Sequence, residues 1–173
     1  MPPGLNEMVV ESVRVHMHSS QHVVILKDVD RDLYLPIWIG VNEADAIARR
    51  LQGITPERPL THDLFATTLQ ELGVAVKQVV VSDLADETYR ARLVIELGER
   101  TVDVDARPSD AIALAIRVGV PIYATDAVLD RAGVSPEPDE EERLSVFREF
   151  VNSLDVDVGE PPREGEDPGR PAG

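Results

Sequence analysis

The chain has 173 residues, 43% of them hydrophobic and only 4% aromatic, so it suits one extended domain with a core of Val, Ile, Leu and Ala. It has no cysteine, which excludes disulfides, thiolate metal sites and a cysteine nucleophile, and is in keeping with a reducing cytoplasm. Its formal net charge of −15 excludes a generally basic nucleic-acid-binding surface, so any such role needs a local basic patch, a bound metal, or both.

The opening MPPGLNEMVV lacks a basic segment followed by an apolar run, and no apolar stretch approaches the roughly 20 residues of a membrane helix. A cytoplasmic chain without membrane association is therefore expected. Met8–Met17 alternates, with Val9, Glu11, Val13, Val15 and Met17 on one face, and reads as a strand. Val23–Lys27 is a second strand and Leu33–Ile39 a third, separated by the polar turn Asp28–Asp32. Pro36 places the third at a sheet edge or a bulge, because proline cannot donate to the ladder.

After Gly40 the period changes. Asn42 followed by Glu43 and Asp45 predicts a helix start, and Ala46, Ile47, Ala48 and Leu51 carry the helix to Gly53. Ile54–Leu60 holds two prolines and is a loop. Thr61 is the expected cap of the next helix, with Leu64, Phe65, Thr68, Leu69 and Leu72 as its apolar stripe, ending at Gly73. Strands return at Val74–Ser82, Tyr89–Glu96 and Arg100–Asp105, the last two joined over Gly98-Glu99. Pro108 suits the first turn of a helix through Ser109–Val118. A short strand at Pro121–Tyr123 and a short helix at Asp126–Ala132 follow.

Three strands and a helix thus occur twice. Slid by 65 positions, Ile37 and Ile39 fall on Val102 and Val104, Asp45-Ala46-Ile47-Ala48 on Asp110-Ala111-Ile112-Ala113, and Leu51 on Ile116. With a one-residue slip, Val13 and Val15 fall on Val79 and Val81. The expected fold class is α+β: a duplicated β-β-β-α unit with a mixed or antiparallel sheet and packed helices. From Val134 to Gly173 there are 12 acidic and 4 basic residues. The expected organisation is a domain over 1–133, then a linker and an amphipathic helix (Leu144, Phe147, Phe150, Val151, Leu154) over 134–154. An acidic, Pro/Gly-rich tail over 155–173 is expected to be disordered.

Two polar clusters could carry chemistry. In Arg58-Pro59-Leu60-Thr61-His62-Asp63 a loop and a helix start bring an arginine, an imidazole suited to proton transfer and a carboxylate together. Capping by Thr61 and Asp63 with an exposed His62 would explain the same residues. The second cluster is Asp103, Asp105, Arg107, Ser109 and Asp110. Asp103 and Asp105 share a strand face, one way to hold a hard divalent cation, and Asp105, Ser109 and Asp110 surround a helix start. Glu43 and Asp45 are the counterparts in the first copy. His16 and His18 make a weak metal pair, and Trp38, between Ile37 and Ile39, is expected in the core or at an interface. No phosphate loop, dinucleotide glycine fingerprint, nucleophile elbow or HExxH string is present.

Three stretches together resemble one family. They are Leu35-Pro36-Ile37-Trp38-Ile39-Gly40 with Glu43-Ala44, then Arg58-Pro59-Leu60-Thr61-His62-Asp63-Leu64, then Val102-Asp103-Val104-Asp105-Ala106-Arg107-Pro108-Ser109-Asp110 running on through Ala111-Ile112-Ala113-Leu114-Ala115. The chain is similar, over Met8–Gly133, to the bifunctional nuclease domains of bacteria and plants. The resemblance implies an α+β fold with a duplicated unit, self-association as a dimer or higher homo-oligomer, and cleavage of both DNA and RNA. Joined to the residues, it makes His62, Asp105 and Asp110 the candidate catalytic groups and Arg58, Arg107 and Ser109 the candidate substrate-binding groups. Asp103 and Asp105 become candidate ligands of a divalent metal such as Mg or Mn. The rival classes are a non-enzymatic ligand- or protein-binding regulatory module, and a hydrolase of a small anionic substrate.

Overall fold

A computed structural model describes residues 4–16, 18–136 and 148–149. The chain divides into two units, Met1–Pro136 and Glu137–Gly173, and the fold described is that of the first. The helix expected from Glu141 to Leu154 and the tail beyond it lie outside the described residues, except for Arg148 and Glu149, which are helical and exposed.

Strands β1 (Leu5–Val15), β2 (His22–Asp28) and β3 (Tyr34–Ile39) form an antiparallel meander, with Val10 opposite Leu26 and Val24 opposite Ile37. Helices α1 (Val41–Leu51) and α2 (Thr61–Glu71) follow. A second antiparallel meander comprises β4 (Ala75–Ala85), β5 (Thr88–Leu97) and β6 (Arg100–Ala106), followed by α3 (Pro108–Val118). Then β7 (Ile122–Thr125) inserts between the meanders, antiparallel to β1 and parallel to β4, and α4 (Asp126–Ala132) follows it. The seven strands lie in the order β3-β2-β1-β7-β4-β5-β6. The fold is α+β with a mixed sheet, and Pro36 does sit on an edge strand, where its missing N–H leaves no gap in the ladder. The sheet curls strongly: the Tyr89 hydroxyl on β5 donates to the Pro36 carbonyl on β3, 3.2 Å away across four intervening strands.

Inside that curve lies α3. Ala111, Ile112, Ala113, Leu114 and Ala115 are each at most 1% exposed, so this helix has no solvent face over its middle turns. Its three alanines let α1 and α2 approach closely, and Gly119, at φ 73°, ends it in the left-handed region that favours glycine. Val79, Val81, Leu26, Leu35, Ile37, Ile47 and Met8 complete the same core.

Four local expectations are corrected. The strict alternation of β1 is broken by a bulge at Glu11, between the pairs Val10–Leu26 and Ser12–Ile25. Val10 and Val13 therefore pack on the core, while Val9 and Val15 are exposed. The N-caps are Gly40 and Leu60, one or two residues before Asn42 and Thr61. At Leu60 it is Asp63 that reaches back, accepting the Leu60 amide at 2.9 Å. The inward face of α2 is His62, Ala66 and Leu69, leaving Leu64, Phe65 and Leu72 exposed, because α2 packs chiefly on α3 rather than on the sheet. Of the two places expected for Trp38, the core is excluded: it is 58% exposed, since Leu35 and Ile37 take the core positions of β3.

Candidate active site

Three helix starts converge. Arg107, the N-cap of α3, donates from Nε to Asp110 Oδ2 at 2.8 Å and from an η nitrogen to Glu43 Oε1 at 2.8 Å. Asp110 in the first turn of α3 meets His62 in the first turn of α2, with Nε2 to Oδ1 at 2.9 Å. The result is a continuous polar chain, His62–Asp110–Arg107–Glu43, drawn from α2, α3 and α1. Both acids lie at positive helix ends, where the peptide dipoles favour a carboxylate. Gly40 leaves room for Glu43: a Cβ there would run into the Glu43 carboxylate.

The chain lines a cavity of about 860 Å³ whose wall also includes Asp105, Asp45 and Phe65. His62 is buried at 9% exposure, whereas the Arg107 side chain is 66% exposed. Burial raises the pKa of the Asp110 carboxyl, but hydrogen bonds from His62 and Arg107, with the charge of both, outweigh it and hold the group below its ordinary value. Hydrogen bonds to Asp110 and then to Glu43 raise Arg107 above its ordinary value, so it stays a cation. With Nε2 given to Asp110, Nδ1 is the imidazole nitrogen left for a substrate.

Of the residues singled out from the sequence, the structure brings His62, Asp105, Arg107 and Asp110 to this cavity. Ser109 is buried and turns to a neighbouring cleft, which Arg107 also lines. Arg58 is exposed on the loop before α2 and lines neither space. Asp103 pairs with Arg92 at 3.1 Å on the outer strands. Asp45, which aligns with Asp110 when the sequence is slid by 65 positions, is occupied by Arg49 at 2.7 Å.

One residue escaped the sequence reading. Arg117 has only 6% of its side chain exposed and donates to Asp63 at 2.7 Å, to the Ala113 carbonyl at 2.8 Å and to the Ala46 carbonyl at 3.0 Å. It ties α1, α2 and α3 together behind the cavity. Its signal was a lone arginine at the end of the otherwise apolar run Ala111–Ile116.

Among the described residues no three His, Asp or Glu side chains gather as a metal site. Asp103 is taken by Arg92 and both Asp110 oxygens are taken by His62 and Arg107. The residues do not make a protein cage for a metal. What they do leave is one carboxylate on the cavity, Asp105, with no hydrogen bond or ion pair to its side chain among the described residues.

The chain matches the bifunctional nuclease domain model over residues 24–137, a segment that contains every residue of the cavity wall. It is 43% identical over 162 residues to an uncharacterized protein of Mycobacterium tuberculosis, covering 88% of this chain and 97% of that one. It is 30% identical over 135 residues to bifunctional nuclease 1 of Oryza sativa subsp. indica, covering 74% of this chain and 41% of the rice protein. Bifunctional nuclease 2 of Arabidopsis thaliana is 28% identical over 109 residues, covering 61% of this chain and 33% of the plant protein.

Proposed function

We propose that this chain, which belongs to the bifunctional nuclease domain family, hydrolyses phosphodiester bonds of DNA and RNA at the cavity where its three helix starts meet. The observation that carries the reading is the His62–Asp110 pair, an imidazole backed by a carboxylate and set beside an exposed guanidinium. Such a pair is suited to proton transfer: Nδ1 takes a proton from the attacking water, while Asp110 orients the ring and stabilises the imidazolium. Arg107 offers its remaining guanidinium N–H groups to the phosphate oxygens, and the leaving oxygen is protonated from bulk water. Arg58, four residues before His62, is proposed as a contact for a flanking phosphate rather than the reacting one.

The cavity wall holds Glu43, Asp45, Asp105 and Asp110 against one arginine, so a polyanion needs help to enter it. Mg²⁺ is commonly held by one or two carboxylates together with substrate phosphates, not by an all-protein cage, and Asp105 is a carboxylate of that kind. When bound there, Mg²⁺ or Mn²⁺ would polarise the phosphate and offset its charge. The absence of cysteine supports a cytoplasmic setting. Self-association is proposed through the exposed Leu64 and Leu72 of α2 and its C-terminal end.

The test is cleavage of single-stranded DNA, duplex DNA and RNA by the full chain. His62→Ala and Asp110→Asn are each expected to lower the rate about 100-fold. Asp103→Asn, whose carboxylate is engaged by Arg92, is expected to leave it within about twofold. EDTA is expected to suppress cleavage and Mg²⁺ or Mn²⁺ to restore it, with Asp105→Asn needing about 10-fold more metal. Equal rates in wild type and His62→Ala would reject the site. A polar chain that satisfies itself is also what a non-catalytic ligand site would contain, and binding without cleavage of any strand would favour that reading.

A further inference from the structure

Trp38 is the chain's single tryptophan, and the fold leaves it in water. Its neighbours on β3, Leu35 and Ile37, are 0% and 2% exposed, whereas the indole is 58% exposed. An indole is a large apolar plane, and leaving it uncovered forgoes one of the largest burial gains any side chain offers. Among the described residues the ring that pairs with it, His16, stands 6.4 Å away at 68°, edge-on and not stacked, so no parallel ring of these residues covers the indole.

The position of that plane matters. Trp38 lines a cleft of about 400 Å³ together with Gly40, Tyr89, Arg107 and Ser109. Arg107 is also a wall of the cavity that holds His62, Asp105 and Asp110. The cleft of the aromatic plane and the cavity of the reacting groups therefore share one wall residue, Arg107. The turn from β3 into α1 links the two spaces, because Trp38 stands near the end of the strand before it and Glu43, the partner of Arg107, lies in the first turn of the helix after it.

Pairing with a second chain is the competing use of an exposed aromatic on an edge strand. Here β3 is only six residues long and has Pro36 in its middle, which removes an N–H from the ladder a partner strand would need. A planar ligand stacking on the indole needs no such ladder.

We propose that Trp38 is a stacking platform for an unpaired nucleobase, and that the cleft beside Arg107 is a base subsite for single-stranded nucleic acid. The strand's phosphate lies at Arg107 and the adjoining base on the indole. Stacking ignores the sugar, so DNA and RNA are taken alike, while the bases of an intact duplex are already stacked on one another and are refused. The proposal rests on the nuclease reading and names the form of substrate that site takes.

A single tryptophan makes the test direct. Full-length protein in EDTA at low salt is titrated with oligothymidylate of about ten nucleotides, the same length of abasic strand, and the corresponding duplex. Binding is followed by anisotropy of a label on the strand and, separately, by indole emission. Oligothymidylate is expected to quench the indole. Trp38→Ala is expected to weaken oligothymidylate binding roughly 10-fold and Trp38→Phe only slightly. Binding of the abasic strand should be unchanged in either variant, and thermal unfolding confirms that both are folded. Binding with an unquenched indole, or equal affinity in Trp38→Ala, overturns the base subsite and leaves the nuclease reading standing. A change of subunit number in Trp38→Ala without a change in affinity overturns it in favour of a contact between copies. Failure of every strand to bind, with no cleavage on adding Mg²⁺, rejects both readings together.

Discussion

Asp28, at the end of β2, is 2% exposed, and no other carboxylate among the described residues is buried. It accepts the amides of Asp30 at 2.9 Å and Arg31 at 3.1 Å, and the Arg31 guanidinium at 3.0 and 2.7 Å. Burial raises its pKa, but the Arg31 hydrogen bonds, the two amides and the Arg31 charge together hold it below the ordinary value. Asp63 and Asp110 are depressed in the same way, burial being outweighed by Leu60 and Arg117 in one case and by His62 and Arg107 in the other. A carboxyl depressed on folding binds fewer protons folded than unfolded. Its contribution is complete above the unfolded pKa of about 3.9 and is lost as pH falls through the folded value. The urea midpoint is therefore expected to drop between about pH 5 and about pH 3. Asp28→Asn should lower stability at neutral pH by about 2 kcal/mol and flatten that acid slope. An unchanged slope in the variant would show that Asp28 is not among the groups responsible. In the sequence, Asp28–Asp32 reads only as a polar turn. The burial of its first residue depends on Arg31, which also reaches Asn6 on β1 at 2.9 Å.

At the scale of elements, two of the three helices of the site, α2 and α3, are held by different means. The apolar middle of α3 fills the curve of the sheet, and its bounds follow from Pro108 at its start and Gly119 after its end. By contrast α2 buries little more than His62, Ala66 and Leu69, and it is fastened to the rest by Arg117. Arg117→Ala is expected to cost about 3 kcal/mol, because it leaves Asp63 without its cation and two carbonyls without a donor. Amide exchange in α2 should rise more than in α3, and cleavage should fall with His62 displaced. Equal protection of the two helices in the variant would assign Arg117 no such role. The existence of α2 was legible from its punctuation, but its orientation was not. The stripe Leu64–Phe65–Thr68–Leu69–Leu72 has a helical period, and period alone does not say which side a neighbour occupies. The β1 bulge is of the same kind: one extra residue at Glu11 puts Val10 and Val13 on the same, inward face, and nothing in the alternation announces it.

Over the whole molecule, the charge of −15 and the few cations near the cavity bound how the chain can hold a polyanion. With Arg107 and Arg58 as the phosphate contacts, the logarithmic salt dependence of single-strand binding in EDTA should have a slope of about −1.4. A slope several times steeper would point to a basic surface elsewhere, including on residues beyond Pro136. Among the described residues no helix is long and apolar enough to cross a membrane. The sequence by itself determined the order of strands and helices, the restriction of Pro36 to a sheet edge or a bulge, the start and stop of α3 and the family. These are properties of short segments: alternation, helical period, a proline without an N–H, a glycine free to turn. The tertiary structure alone decided that Glu43, His62 and Asp110 meet, that Asp103 and Ser109 face elsewhere, and that Trp38 stands in water. Those outcomes depend on how a curled sheet brings three helix starts from distant parts of the chain to one point, and no local pattern carries that information.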